Sequence, residues 1–146
     1  MNSQQLMKSV KNGHKFLFDT NACIRYLKGN SLPLLQKLSV LPRNQVVLCD
    51  IVKLELYYGA YKSAKIDNNL AILDNFFSEF ASLPFDDQAV ITCAQIRAQL
   101  ANKGTPIGPY DLQIAAIALV NDLILVTHNI REFSRIEGLK IEDWEN

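Results

Sequence analysis

Four acids stand where the chain leaves a strand or enters a helix, and each has an ordinary explanation beside a chemical one. Asp19 follows directly on the apolar run KFLF at residues 15–18, in FLFDTN. The carboxyl end of a strand is where α/β sheets place their sites. It is also where a helix cap belongs, and for Asp19 or Asn21 taken alone the cap is the better reading. Glu55 lies in IVKLELYYGA, with Ile51, Val52, Tyr58 and Gly59 one turn away. A carboxylate on that apolar stripe is costly to bury without a partner, unless the stripe is offset and Glu55 lies at a solvated edge. Gly59 would clear space beside it at some cost in helix propensity. Asp111 stands in KGTPIGPYDLQIAAIALV, in the first turn of a very apolar helix. An acid there complements the helix dipole, yet two glycines and two prolines make the preceding turn elaborate for a simple connection. Finally, THNIREF follows the run LILVT and brings Thr127, Asn129 and Glu132 just past another strand end. Arg131 and Arg135 are near enough in sequence to pair with acids or meet phosphates.

Each signal is weak alone. Together, three of the four segments fall on one side of the expected sheet, and Glu55 can reach that side from its helix. Oxygen-only ligands suit Mg²⁺ or Mn²⁺ rather than zinc or copper. Such an ion neutralises charge on a phosphodiester and lowers the pKa of a bound water. Clustered carboxylates repel one another until a cation binds, so their pKa values are expected to rise in the metal-free site. No P-loop, GxSxG, Cys–His pair or GxGxxG is present, which leaves few rival chemistries. Two histidines, His14 and His128, are too few and too separated for a typical zinc site.

The elements that must position these acids alternate in type. KFLF, QVVLC (45–49) and LILVT (123–127) are short apolar runs suited to buried parallel strands, and LPF (83–85) and LKI (139–141) to edge strands. Helical patterns lie between them at 21–28, 32–39, 51–64, 67–81, 86–102 and 110–121. Asp50 and Asp86 are expected caps, Gly104 an expected helix end, and the last helix is apolar enough to be largely buried. Strands alternating with helices imply an α/β fold with a mostly parallel sheet and right-handed crossovers.

The 146 residues make one domain of ordinary size, with a net charge of zero. That balance is not the basic footprint usual for a nucleic-acid enzyme, but a cluster of acids would cancel basic residues elsewhere. No apolar run approaches the length of a membrane span. The first fifteen residues lack the apolar stretch of a secretory signal. Three scattered cysteines fit a reduced, cytoplasmic setting.

FLFDTNACIRYLKG, LELYYGAYKSA, KGTPIGPYDLQIAAIAL and VTHNIREFSRIEGLKIEDW, in that order, resemble PIN-domain proteins and more closely the VapC toxins of bacterial type II toxin–antitoxin modules. The resemblance spans residues 15–144. It implies a PIN-like three-layer α/β/α sandwich over 15–146, preceded by an arm over 1–14. It further implies an Mg²⁺- or Mn²⁺-dependent endoribonuclease that cuts RNA, with tRNA one candidate, and so inhibits translation. A homodimer and a VapB-type antitoxin that blocks the nuclease and binds operator DNA are implied as well. Asp19, Glu55 and Asp111 match the family's three acids. Where many PIN domains carry a fourth acid this chain has Asn129, and Glu132 matches the acid used in this branch. Thr20, Asn21, Thr127 and Asn129 are supporting candidates. Arg25, Lys28, Lys53, Lys103 and Arg131 are candidates for the RNA backbone, each more often a solvated charge. The rival readings are a housekeeping RNA-processing nuclease and a non-catalytic RNA- or protein-binding module.

Overall fold

The computed structural model describes residues 13–145, so the expected arm over 1–14 lies almost wholly outside the described residues. Five short strands form the sheet: β1 (Phe16–Phe18), β2 (Val46–Cys49), β3 (Ser82–Leu83), β4 (Ile124–Val126) and β5 (Ile141–Glu142). Their order is β3-β2-β1-β4-β5 and every pairing is parallel. β1 and β2 are buried at every position, which is why their sequences run apolar without alternation.

Helices fill the crossovers: α1 (Thr20–Lys28) and α2 (Leu32–Ser39) lead to β2, α3 (Asp50–Lys62) and α4 (Ile66–Glu79) to β3, α5 (Asp87–Asn102) and α6 (Pro109–Val120) to β4, and α7 (Ile130–Phe133) to β5. From β1 the chain steps outward to β2 and β3, then returns past β1 to β4 and continues to β5. Right-handed crossovers running in opposite directions put helices on both faces, giving the expected three layers. The direction reverses between β1 and β4, and a ligand crevice opens beyond the carboxyl ends of the strands at such a switch point. The two strands run level there, with Phe18 beside Val126 and the Asp19 N–H donating to the Val126 carbonyl at 3.1 Å.

α6 is the buried helix its sequence implies: Ile114, Ala115, Ala116, Ile117 and Ala118 are fully inaccessible. α5 ends as Gly104 predicts. With φ at 70°, Gly104 donates to Ala101 and Thr105 donates back to Leu100, a double closure that needs a left-handed residue. Trp144 closes the other side of the sheet edge-on to Phe16 and Phe18, with centroids 4.9 and 5.3 Å away.

Three expectations need correction. Asp50 does not cap α3. It lies in the first turn with Cys49 as the cap, and its carboxylate accepts from Ser82 Oγ at 2.6 Å. The edge strand expected at 83–85 sits at Ser82–Leu83, because Pro84 has no N–H for a ladder. The strand expected at 139–141 sits at Ile141–Glu142. Both remain edge strands. No helix among the described residues is long and apolar enough to cross a membrane.

Candidate metal centre

Asp19 is both things its position allowed. Its Oδ1 accepts from the Ala22 N–H at 2.8 Å, capping α1, while the side chain is 4 % exposed at the end of β1. Burial pushes its pKa up to about 6 despite hydrogen bonds from Thr127 and Ala22, and the charges of Glu145 and Glu55 push the same way. Thr127 is itself buried. Its Oγ1 accepts from the Asn129 N–H at 3.0 Å, which leaves its O–H free to donate to Asp19.

Glu55 neither points into the core nor lies in open solvent. It is half-buried, and Thr20 Oγ1 donates to its Oε1 at 2.5 Å. The residue after Asp19 therefore fixes the acid from α3. Asp111, in the first turn of α6, has its pKa raised to about 7. Burial is the largest cause, then a hydrogen bond to Glu132, then the charges of Glu132, Asp19 and Glu55. Glu132 shifts the other way. Its partial burial is outweighed by hydrogen bonds from Asn129, Asp111 and the Gly108 N–H and by the charge of Arg135. Asn129 Nδ2 donates to Glu132 Oε2 at 2.9 Å, and the Gly108 N–H to Oε1 at 3.3 Å. Arg135 Nη1 donates to the Pro106 carbonyl at 3.1 Å. The turn before α6 is thus tied to α7 through Glu132 and to the segment just after it through Arg135, and its elaborate sequence serves to hold Glu132 beside Asp111.

The structure brings Asp19, Glu55, Asp111 and Glu132 into one electrostatic neighbourhood at the switch point. Thr20, Thr127 and Asn129 each touch one of those acids, and Asn21 lines the adjoining cavity with Asn129. Asp122 precedes β4, so it lies at the opposite end of the sheet, where it pairs with Lys140 at 3.0 Å. Sequence reasoning missed Glu145, whose charge bears on Asp19 more than that of Glu55 does. Nothing in its spacing marked it, because the contact depends on where Trp144 anchors the chain. His128, Asp143 and Glu145 also offer ligand atoms within 4.8 Å of one another, but these groups are already paired, His128 with Asp143 and Glu145 with Arg25.

The four acids fit a hard divalent cation. Their donor set is all oxygen, and Asp19 and Asp111 are pushed up first by burial and then in part by neighbouring carboxylates, a repulsion that a cation would offset. Beside Glu55 a groove of about 540 Å³ opens between α1, α3 and α4, lined by Ile24, Leu27, Gly59, Ile72 and Leu73. A Cβ built on Gly59 meets nothing within 4 Å, so this glycine borders the groove rather than making room for an internal contact.

The PIN domain model matches residues 16–139. The chain is 45 % identical over 130 residues to the tRNA(fMet)-specific endonuclease VapC of Salmonella typhimurium, covering 89 % of this chain and 98 % of that protein. It is 40 % identical over 130 residues to the protein of the same name from Shigella flexneri, with the same coverage. Among solved structures, the DNA-bound VapBC complex from Salmonella typhimurium matches with a TM-score of 0.85 and 44 % identity, over 90 % of this chain and 98 % of that one. The chain belongs to the PIN-domain family and, within it, to the VapC ribonucleases.

Proposed function

We propose that this chain is the toxin of a VapBC-type toxin–antitoxin module, an endoribonuclease that cuts tRNA using Mg²⁺ or Mn²⁺ held by Asp19, Glu55 and Asp111, with Glu132 as the fourth acid. One observation carries the site. Three acids separated by 36 and 56 residues in sequence lie close enough for the charges of Asp19 and Glu55 to raise the pKa of Asp111. Divalent-metal dependence, general among PIN-domain nucleases, fits this set of donors. The tRNA substrate follows from the names of the two endonucleases that are 45 % and 40 % identical.

When bound, the cation would neutralise charge on the scissile phosphate and make a water more acidic. The protein's own residues supply orientation. Thr20 holds Glu55 and Thr127 holds Asp19, so neither carboxylate is free to rotate away. Asn129 and the Gly108 N–H hold Glu132. Such outer contacts set ligand geometry in metal sites. A VapB-type antitoxin is the partner, as the VapBC complex suggests. The groove beside Glu55 suits an apolar segment of it, and an Arg from that segment would pair with the acids in two-pronged fashion. A homodimer and a cytoplasmic location complete the reading.

The test is incubation of purified protein with bulk tRNA, with and without Mg²⁺, beside Asp111→Asn, with cleavage ends mapped. Discrete cuts that need both the ion and Asp111 support the proposal. Cleavage unaffected by EDTA and by the substitution overturns it.

A further inference from the structure

We infer that Arg25 is a phosphate-binding residue for the RNA strand beside the cut site, and that Glu145 occupies it in the free protein as a stand-in for that phosphate. The inference rests on the ribonuclease reading above.

A cavity of about 590 Å³ adjoins the acids, lined by Ile24 and by the polar Asn21, Arg25, Lys28, His128, Asn129 and Glu145. It carries two cationic side chains on one face of α1, three residues apart. Asn129, which hydrogen-bonds Glu132, links this cavity to the acidic centre. A strand with one phosphate at the acids would pass its neighbouring phosphates through this cavity. Lys28 has no ion-pair partner among the described residues. Arg25 has one: its Nε lies 3.3 Å from Glu145 Oε1, and the side chains are 49 % and 11 % exposed. The Arg is half in solvent while the Glu is tucked inward, towards Asp19, close enough for its charge to raise that carboxyl.

Placing an acid there has a cost, since it repels Asp19, and the ion pair with Arg25 offsets it. The position is imposed by its neighbours. Trp144 is 2 % exposed against Phe16 and Phe18, and its indole N–H donates to Glu142 at 2.9 Å. Asp143 accepts from the Glu145 N–H at 2.9 Å and meets His128 Nδ1 at the same distance. The backbone is therefore anchored immediately before the residue's Cα, and the side chain is delivered to Arg25. The bond itself is one long contact to a half-exposed guanidinium, a geometry worth little in water. A phosphate offers a guanidinium paired, shorter hydrogen bonds, so it can take Arg25 from Glu145.

The exchange has a signature in salt dependence. Each phosphate neutralised by a free cation releases counterions and steepens the decline of affinity with salt. In the wild type Arg25 is already neutralised, so its contact adds little to that slope. Freed from Glu145, it adds about one unit. The test measures tRNA cleavage by the full chain in Mg²⁺, and tRNA binding by fluorescence anisotropy over a range of KCl, for wild type, E145Q, R25A and the double variant. At saturating Mg²⁺, where any effect of Glu145 on Asp19 is titrated out, E145Q is expected to lower KM roughly 3–10-fold and to steepen the salt slope by about one. R25A should raise KM, and adding E145Q to it should change nothing further. Wild-type cleavage with KM and slope indifferent to both substitutions overturns the inference and leaves the ribonuclease reading standing. So does weaker binding by E145Q, which would make Glu145 a support for Arg25 rather than its occupant. So does a fall in kcat restored by extra Mg²⁺, which would make Glu145 part of the metal centre. Wild type that neither cuts nor binds tRNA overturns the ribonuclease reading itself, and this inference with it.

Discussion

Asp111 and Glu132 are neighbouring carboxyls that shift in opposite directions: burial first, then the hydrogen bond to Glu132 and its charge, push Asp111 up, while hydrogen bonds from Asn129, Asp111 and Gly108 hold Glu132 down. The pair joins the start of α6 to α7 across the turn that contains Gly108, whose N–H donates to the same Glu132.

That relationship fixes the sign of a stability effect. The pKa of Asp111 is raised from 3.8 to about 7, so ionising it costs the folded state more than the unfolded one. The cost is absent below the unfolded value, grows as pH rises through the window between the two, and is complete above about 7. Asp111→Asn is neutral throughout and its amide can still donate to Glu132. In EDTA the variant and wild type should therefore melt together at pH 4 and diverge towards pH 8, the variant higher. At this chain size each 1 kcal/mol moves Tm by about 2–4 °C. Parallel Tm curves across that range would show that Asp111 is not titrating as described.

The same substitution should remove activity. Asp19→Asn and Asp111→Asn each take a negative oxygen from the proposed metal shell, and a loss of roughly 3 kcal/mol or more in transition-state stabilisation is a fall of about 100-fold or more in cleavage. Asn can still accept at a helix cap, so α1 should survive in Asp19→Asn, and circular dichroism checks this. Thr20→Val tests the support for Glu55. It should raise the Mg²⁺ concentration for half-maximal cleavage by about 10-fold, the usual lower bound for losing an outer contact. Full cleavage by both Asn variants would remove the metal centre from the mechanism.

Much of this site was legible because strand ends are legible. The runs KFLF and LILVT placed Asp19 and Glu132 on one edge of the sheet, and parallel order put those ends side by side. Glu55 was not decided by periodicity, since what holds it is a hydroxyl from another helix, a contact between residues 35 apart. Asp50 shows the limit of cap rules. It was expected as a cap because it precedes an apolar helix, but β2 runs directly into α3 and Ser82 claims its carboxylate. The tyrosines of α3 divide as their spacing alone could not show. Tyr57 packs edge-on to Phe77 at 5.2 Å, while Tyr58 and Tyr61 are 63 % and 62 % exposed.

The groove beside Glu55 gives a partner test that spares the chemistry. Gly59 borders it, and a Cβ there meets nothing within 4 Å, so a longer side chain extends into the groove. Gly59→Leu should fold at least as well as wild type, gaining up to about 1 kcal/mol of helix propensity. It should keep its nuclease activity but lose affinity for a VapB-type protein encoded by a neighbouring gene. Pull-down and inhibition assays with that neighbour check both halves. Undiminished inhibition of Gly59→Leu would place the antitoxin elsewhere. A neighbour that neither binds nor inhibits wild type would leave the nuclease and overturn the toxin assignment.

The fourth acid separates two readings of Glu132. In one it is a surface residue serving the fold: it accepts from Asn129 and Gly108, and Arg135 lies near it. In the other it completes the oxygen shell that Asn129, as a neutral amide, completes poorly. Glu132→Gln keeps one acceptor oxygen, enough for the Gly108 N–H, and gives up the bond from Asn129 Nδ2, so the turn should hold with a fall in Tm of a few degrees at most. It removes the charge that raises Asp111, so that carboxyl should titrate lower in the metal-free variant. If Glu132 serves the cation, cleavage by Glu132→Gln should need about 10-fold more Mg²⁺ or beyond, with a near-normal rate at saturation. Asp122→Asn is the matched control, since that acid sits at the far end of β4 on Lys140, and its Mg²⁺ response should match wild type. Normal cleavage by Glu132→Gln at low Mg²⁺ would mean that three acids suffice and that Glu132 only anchors the turn before α6.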